Sequence, residues 1–290
     1  MWQTILWLLL GGAILIALVL IYGARRWRAI TQRLHADLEA ARRPIASEAY
    51  DPEELNGLPE PVQRYFRCVL VDGQARVWGA RIEHRGTFNL SDSGERWRGF
   101  SSTQKVVTHR PGFDWEARIA MLPGLEARVH DVYSAGEGLL CVSLFGLLSL
   151  VNEGGPDVAH GELMRYLAEA AWYPTALLPS QGIRWTAVDD TSADATLWDG
   201  DTTVTLRFRF AADGLIDSVH TEARGRLVGD AVIPTPWRGR WTRWEWRAGM
   251  RIPIEGEVAW MLADGPQTYW RGRIETIRYQ LAASPPQSAP

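Results

Sequence analysis

From about residue 75 to the last strand-like segment near residue 281, one local pattern repeats. A run that alternates apolar with polar residues or carries β-formers is followed by a short turn signal and then another run. ARVWGARIEHRGTFNL, ERWRGFSSTQKVV, FDWEARIAML and EARVHDVYSA come first. IRWTAVDD, ADATLWDG, TTVTLRFRF and GLIDSVHTEARGRLV follow after an interruption. TPWRGRWTRWEWRAGMRIP, GEVAWMLADG and QTYWRGRIETIRYQL complete about eleven strands. The connections are short (SDSG, DGD and ADG, twice), which favours an antiparallel meander over βαβ units, whose crossovers need a helix. No repeat of 20–50 residues is evident, so neither a propeller nor a solenoid is expected.

Two segments break the strand series. LLCVSLFGLLSLV (139–151) is an uncharged run too short to span a bilayer, and reads as a buried helix or an interfacial element. DVAHGELMRYLAEAAWYP (157–174) is an amphipathic helix bounded by Pro156 and Pro174. The expected fold is therefore mainly β (α+β): a curled antiparallel sheet or half-barrel with a central helix as its plug. LPEPVQRYFRCVL (58–70) adds a helix at the start of what reads as a single β-rich domain, 58–282. The tail, 283–290, has the composition of a disordered segment.

The N-terminus obeys a different rule. Residues 4–22 carry no charge and, as a helix, reach across roughly 30 Å of hydrocarbon. No basic residue precedes the span and YGARRWR follows it, unlike the basic n-region and small-residue cleavage site of a signal peptide. This predicts one transmembrane helix as a single-pass anchor (1–24), then a juxtamembrane helix and linker (25–57). Trp27, Ile30, Leu34, Leu38 and Ala41 form one stripe of that helix. Arg25, Arg26, Arg28, Arg33, Arg42 and Arg43 flank the span on its C-terminal side, so the positive-inside rule favours a cytoplasmic domain.

Composition excludes several function classes. The net charge is −3, which argues against a nucleic-acid binder; arginine supplies all but one of the basic side chains, Lys105 being the only lysine. Cys68 and Cys141 allow at most one disulfide and have no metal-ligand spacing. Nucleotide-binding glycine loops, the GxSxG elbow, HExxH and the EF-hand loop are all missing. His160–Glu162 matches the HxE of zinc deaminases, but the PCxxC that chemistry needs does not occur. No metal site and no cofactor are expected. The acidic stretch Asp189, Asp190, Asp194, Asp199 and Asp201 reads as turn residues, and Asp131 and Glu137 as part of a glycine-containing loop.

The densest constellation lies on the central helix. Glu162, Arg165 and Glu169 are spaced i,i+3 and i,i+4 on one face. Two readings stand open. On a solvated face they form an ion-pair ladder worth tenths of a kcal/mol per pair. Turned inward, Arg165 would hold an anionic head group and Glu169 would orient it or accept a proton. The aromatic residues Trp172, Tyr173, Trp185 and Trp115 complete the candidate ligand-binding set, because buried charges beside aromatic walls describe a cavity better than a core. In residues 235–253, a strand would put Trp237 and Trp241 on one face and Trp244 and Trp246 on the other. A bulge near Gly239 would switch the facing, and one pair would line the core or cavity.

At LPEPVQRYFRCVL, PGFDWEARI, RYLAEAAWYPTALLPS and PWRGRW…GMRIPIEGEVAW the chain resembles a family of uncharacterised bacterial membrane-anchored proteins, over most of residues 56–278. That resemblance implies no catalytic residue. In its strand grammar the chain is also similar to the half-barrels of lipoprotein carriers and receptors, which implies binding of acyl chains between a curled sheet and helical lids. The resulting expectation is a membrane-anchored protein whose partners are the bilayer and a hydrophobic or acyl ligand, with no nucleic acid. A membrane-associated scaffold and a membrane-anchored hydrolase are the alternatives.

Overall fold

A computed structural model of the chain describes residues 1–44, 48–91, 94–229 and 231–282; the predicted tail, 283–290, lies outside them. Thirteen strands form one antiparallel sheet. The first arm is β1 (Val77–Asn89), β2 (Trp97–Val107), β3 (Gly112–Leu122), β4 (Leu125–Ser134), β5 (Glu137–Leu144) and β6 (Leu148–Gly154). The second is β7 (Arg184–Asp189), β8 (Ser192–Asp199), β9 (Thr202–Phe210), β10 (Ile216–Val228), β11 (Ala231–Arg247), β12 (Met250–Leu262) and β13 (Gly265–Leu281). The order is β6-β5-β4-β3-β2-β1-β13-β12-β11-β10-β9-β8-β7. Each arm is a meander, and the first and last strands zip them together through β1 and β13. Edges β6 and β7 do not pair, so the sheet curls without closing.

The expected eleven strands become thirteen because the apolar run 139–151 is neither a helix nor an interfacial element. It supplies most of the hairpin β5–β6, reversing at Phe145 and Gly146, whose φ values are 57° and 72°. A left-handed pair permits the tight reversal, and an uncharged run alone does not separate a buried helix from a sheet strand.

Chain order dictates the plug. β6 and β7 are opposite edges of the sheet, so the segment between them must cross the concave side. That segment is α3 (Pro156–Glu169), followed by three 3-10 turns at Ala170–Trp172, Pro174–Leu177 and Pro179–Gln181. α3 therefore stops at Glu169, short of the predicted Pro174. It touches β4 and β5 on one arm and β9 and β10 on the other. Being enclosed, it buries Glu162 and Glu169 along with Leu163, Tyr166 and Leu167. α2 (Glu60–Val69) lies within the predicted 58–70 helix and adds Val62, Tyr65, Phe66 and Val69 to the same core.

α1 (Trp2–Ala40) is one uninterrupted helix that carries both the apolar span and the segment after it. Its apolar first half is exposed, and by length and composition it is the one described helix suited to crossing a membrane. The second half docks on the outer face of β2, β3 and β4. β3 alternates accordingly: Phe113, Trp115, Ala117 and Ile119 enter the core, while Asp114 and Glu116 meet the helix. Trp27 stacks on His130 at 4.5 Å and donates to Glu116 Oε1 at 2.8 Å. Asp114 is fully buried between His35 Nε2 at 3.2 Å and His130 Nδ1 at 2.8 Å. Burial alone would raise that carboxyl, but the two histidines bring it below its ordinary range. At Gly23 a Cβ would lie 2.2 Å from the Phe145 carbonyl oxygen, so only glycine lets the helix sit against the β5–β6 turn.

Replacing Trp27 with alanine removes a buried indole, its ring contact and its hydrogen bond. The expected cost is about 3–5 kcal/mol, seen as a melting temperature lower by roughly 10 °C in scanning calorimetry of the detergent-solubilised chain.

Candidate functional site

Where α3 and the 3-10 turns leave the concave side unfilled, a cavity of about 430 Å³ remains. That is within the range of small-molecule sites. Six tryptophans line it: Trp115 on β3, Trp172 after α3, Trp237 and Trp241 on β11, Trp260 on β12 and Trp270 on β13. Trp172 meets Trp241 edge-on at 5.1 Å, and Tyr269 stacks on Trp260 at 5.5 Å while accepting from Trp237 Nε1 at 2.8 Å. Such contacts hold the rings in fixed orientations.

A charged cluster sits against these rings. Arg165 donates to Asp131 Oδ2 at 2.6 Å and to Glu169 Oε1 at 2.7 Å, with Glu162 Oε2 at 3.9 Å. Its guanidinium lies over Phe113 and Trp115, 4.9 and 5.0 Å from the ring centres. Gln104 Nε2 donates to the second Glu169 oxygen at 2.6 Å. Across the cavity Arg224 reaches Glu162 Oε1 at 3.5 Å and lies over Trp237. Burial disfavours the Arg165 charge, but Glu169, Asp131 and Glu162 outweigh it and hold the group protonated above its ordinary range. Glu162 goes the other way. Its burial, reinforced by Asp131, pushes it up to about 8. His84, buried beside Trp172 at 4.8 Å, is pushed down to about 3 by burial and by Arg165, so it stays neutral.

Three donors on the cavity-lining residues find no acceptor among the described residues: Trp172 Nε1, Trp241 Nε1 and Arg224 Nη1. These donors are sealed inside the wall rather than exposed on its surface, and buried polar groups without partners are costly.

Of the expected ligand-binding residues, Arg165, Glu169, Trp115 and Trp172 come together around the cavity. Tyr173 and Trp185 are not among its lining residues. The Tyr173 hydroxyl donates to the Tyr166 carbonyl at 3.0 Å, and Trp185 packs against Phe208 while donating to Leu177. Tyr173 is adjacent in sequence to lining residue Trp172, and both rings are buried in the core. Of the four tryptophans in 235–253, the inward pair is Trp237 and Trp241, Trp244 packs half-buried against Tyr65, and Trp246 is exposed. β11 keeps its register with β12 through Gly239. The facing changes instead after Arg243, where φ is 56°. The acidic stretch is dispersed: Asp194 pairs with Arg207, Asp199 with Arg110, and Asp189 closes its own turn on Thr191.

Asp131 and Arg224 carry the site together with α3, though neither stood among the expected ligand-binding residues. Asp131 lies in β4, within the expected strand EARVHDVYSA and ahead of the glycine turn. Its signal was alternation: in β4 it falls on the same face as Val129 and Tyr133, a lone charge in an apolar row. Arg224 had no comparable signal, because a register shift between Thr221 and Arg224 breaks the alternation of β10.

The fold and site define a class: an open, curled antiparallel sheet plugged by a helix, with an aromatic cavity and a buried charge cluster on its concave side. Within that class, the chain belongs to a family of unknown function, DUF6920, whose model matches residues 56–279. No curated protein matches it. A crystal structure of a LolA superfamily protein from Nitrosomonas europaea aligns with 77% of this chain and 94% of its own, at 10% identity and a TM-score of 0.30.

Two outcomes follow from the cluster. Arg165→Met strands Asp131 and Glu169 without their cation, and the expected loss is about 3–5 kcal/mol in chemical denaturation. A carboxyl raised in the folded state binds its proton more tightly there than in the unfolded chain. Its contribution is complete below the ordinary value of 4.5 and is lost as pH climbs through about 8. Stability of the wild type relative to Glu162→Gln should therefore decline from pH 4.5 to 8, measured as the difference between the two denaturation series.

Proposed function

We propose that this chain is a membrane-anchored protein that binds a lipid or another hydrophobic ligand in the cavity of its half-barrel. The observation that carries the reading is the cavity itself, about 430 Å³ of space walled by six tryptophans with Arg165, Glu169 and Arg224 among its lining residues. An apolar body with a polar head group suits both features: the rings cover the body, and the charged side chains meet the head. α1 supports the anchor. Gly23, Trp27 and Leu38 are buried against the domain, so the helix that leaves the apolar span is an integral part of the fold. Cleavage at the end of the span would cut within that helix. The arginines following the span favour a cytoplasmic domain.

Native mass spectrometry of the full chain, released from detergent micelles, tests the binding. One bound amphiphile per chain, or stoichiometric uptake of added fatty acid or phospholipid, is the expected result. A chain that emerges bare and takes up neither contradicts the proposal. Trp241→Ala removes part of the aromatic wall and should weaken binding roughly tenfold.

A further inference from the structure

The membrane helix and the mouth of the cavity belong to the same end of the sheet. Along α1, Gly23 meets the β5–β6 turn, Trp27 meets Glu116 and His130, His35 meets Asp114, and Leu38 meets Gly112 at the start of β3. The helix thus runs from the β5–β6 turn toward the β2–β3 turn, and the edge beside Gly23 is the one nearest the apolar span. In this antiparallel sheet the turns β1–β2, β3–β4, β5–β6, β10–β11 and β12–β13 lie on that edge. Contacts confirm their adjacency: Trp97, Leu122 and Phe145 border one groove, Gln267 Nε2 donates to the Ser91 carbonyl at 3.3 Å, and Arg226 donates to Gln267 Oε1 at 3.1 Å.

The cavity opens there. Its exposed lining residues are Gly225 and Leu227, with Ser91, Arg226 and Gln267 half-buried beside them, whereas Trp115, Glu169 and Trp172 are buried at its inner end. The same edge carries exposed apolar side chains at its turns: Leu122, Phe145, Leu148, Leu227, Val232 and Ile233. The last three belong to the β10–β11 hairpin. β12 ends at Leu262, which falls opposite residue 235, so β11 overhangs its neighbour by four residues, about 13 Å. An overhanging hairpin whose strand ends expose Leu227, Val232 and Ile233, on the edge from which the apolar span emerges, matches a bilayer surface. Arg98 and Arg128 on this edge and Arg25, Arg26 and Arg28 on α1 suit phospholipid head groups. Glu126 and Asp264 share the edge, so the exposed apolar side chains carry the contact.

We propose that this edge rests on the leaflet from which α1 emerges, with the exposed Leu227, Val232 and Ile233 of the β10–β11 hairpin in contact with it, so that the cavity mouth faces the lipid and its ligand enters laterally from that leaflet. The inference rests on the anchored ligand-binder reading and adds the route and the source of the ligand.

Depth-dependent fluorescence quenching tests it. Full-length chain with Cys68→Ser and Cys141→Ser receives a single bimane-labelled cysteine at Leu15, Val232, Leu148 or Trp246. The labelled chains are placed in nanodiscs of phosphatidylcholine and phosphatidylglycerol with spin labels at graded chain depths. Each variant is first matched to the wild type by near-ultraviolet circular dichroism. Leu15 should read as deep, Val232 and Leu148 as shallow, about 5–10 Å below the head groups, and Trp246, at the opposite edge, as unquenched. If Leu15 is quenched while Val232 behaves like Trp246, lateral entry is overturned and the anchored binder stands. If Leu148 alone of the edge positions is quenched, the contact is confined to β5–β6 and the proposal again fails. An unquenched Leu15 would overturn the anchor and this inference with it.

Discussion

Arg165 is the interaction on which the concave side of the molecule depends. The arms are joined through β1 and β13, but the sheet is open, so the strand ladder does not fix how far apart their free ends stand. The buried cluster does: Asp131 comes from β4, Gln104 from β2, Glu162 and Glu169 from α3, and Arg224 from β10. A guanidinium can satisfy several carboxylates at once because its donors are fixed in a plane. The surrounding tryptophan faces exclude water, which makes each pairing stronger and each missing partner more costly. A hydrophobic core of the same volume would have closed the space. Charges that must remain hydrogen-bonded to both arms keep it open.

The outer face solves a second problem. A long helix leaving a bilayer has no intrinsic orientation relative to the domain that follows it. Here Asp114, buried with two histidines, and Trp27, held by Glu116 and His130, tie the helix to β3 and β4. Asp114 and Trp115 are consecutive on one strand, and by alternation one serves the anchor and the other the cavity. The docked N-terminal helix and the cavity are therefore served by two faces of the same strand.

Much of this was legible in the sequence, for identifiable reasons. Period-two alternation with short turns gave eleven of the strands, and the proline-bounded segment after residue 156 gave the plug. The apolar run 139–151 misled because its hairpin lies where strand residues are apolar on both faces and α1 covers its turn. The carboxylates and arginine of α3 could be grouped from their spacing, but their burial could not, since the same spacing serves a solvated ladder equally well. Asp131, Trp260 and Trp270 reach the site only through strand pairing and sheet curl, which is tertiary information. Tyr173 follows Trp172 in the chain, yet its hydroxyl is held by the Tyr166 carbonyl away from the cavity lining, because proximity along the chain does not fix which side of a wall a ring occupies.

That an apolar chain occupies the tryptophan cavity is the central claim, and photocrosslinking addresses it most directly. Full-length protein in nanodiscs doped with a phospholipid bearing a diazirine on its acyl chain would be irradiated, digested and mapped by mass spectrometry. Adducts on the peptides carrying Trp237, Trp241, Trp260 and Trp270, in addition to those of the membrane span, are the predicted result. Adducts confined to residues 2–22, with the cavity peptides unmodified, would contradict it.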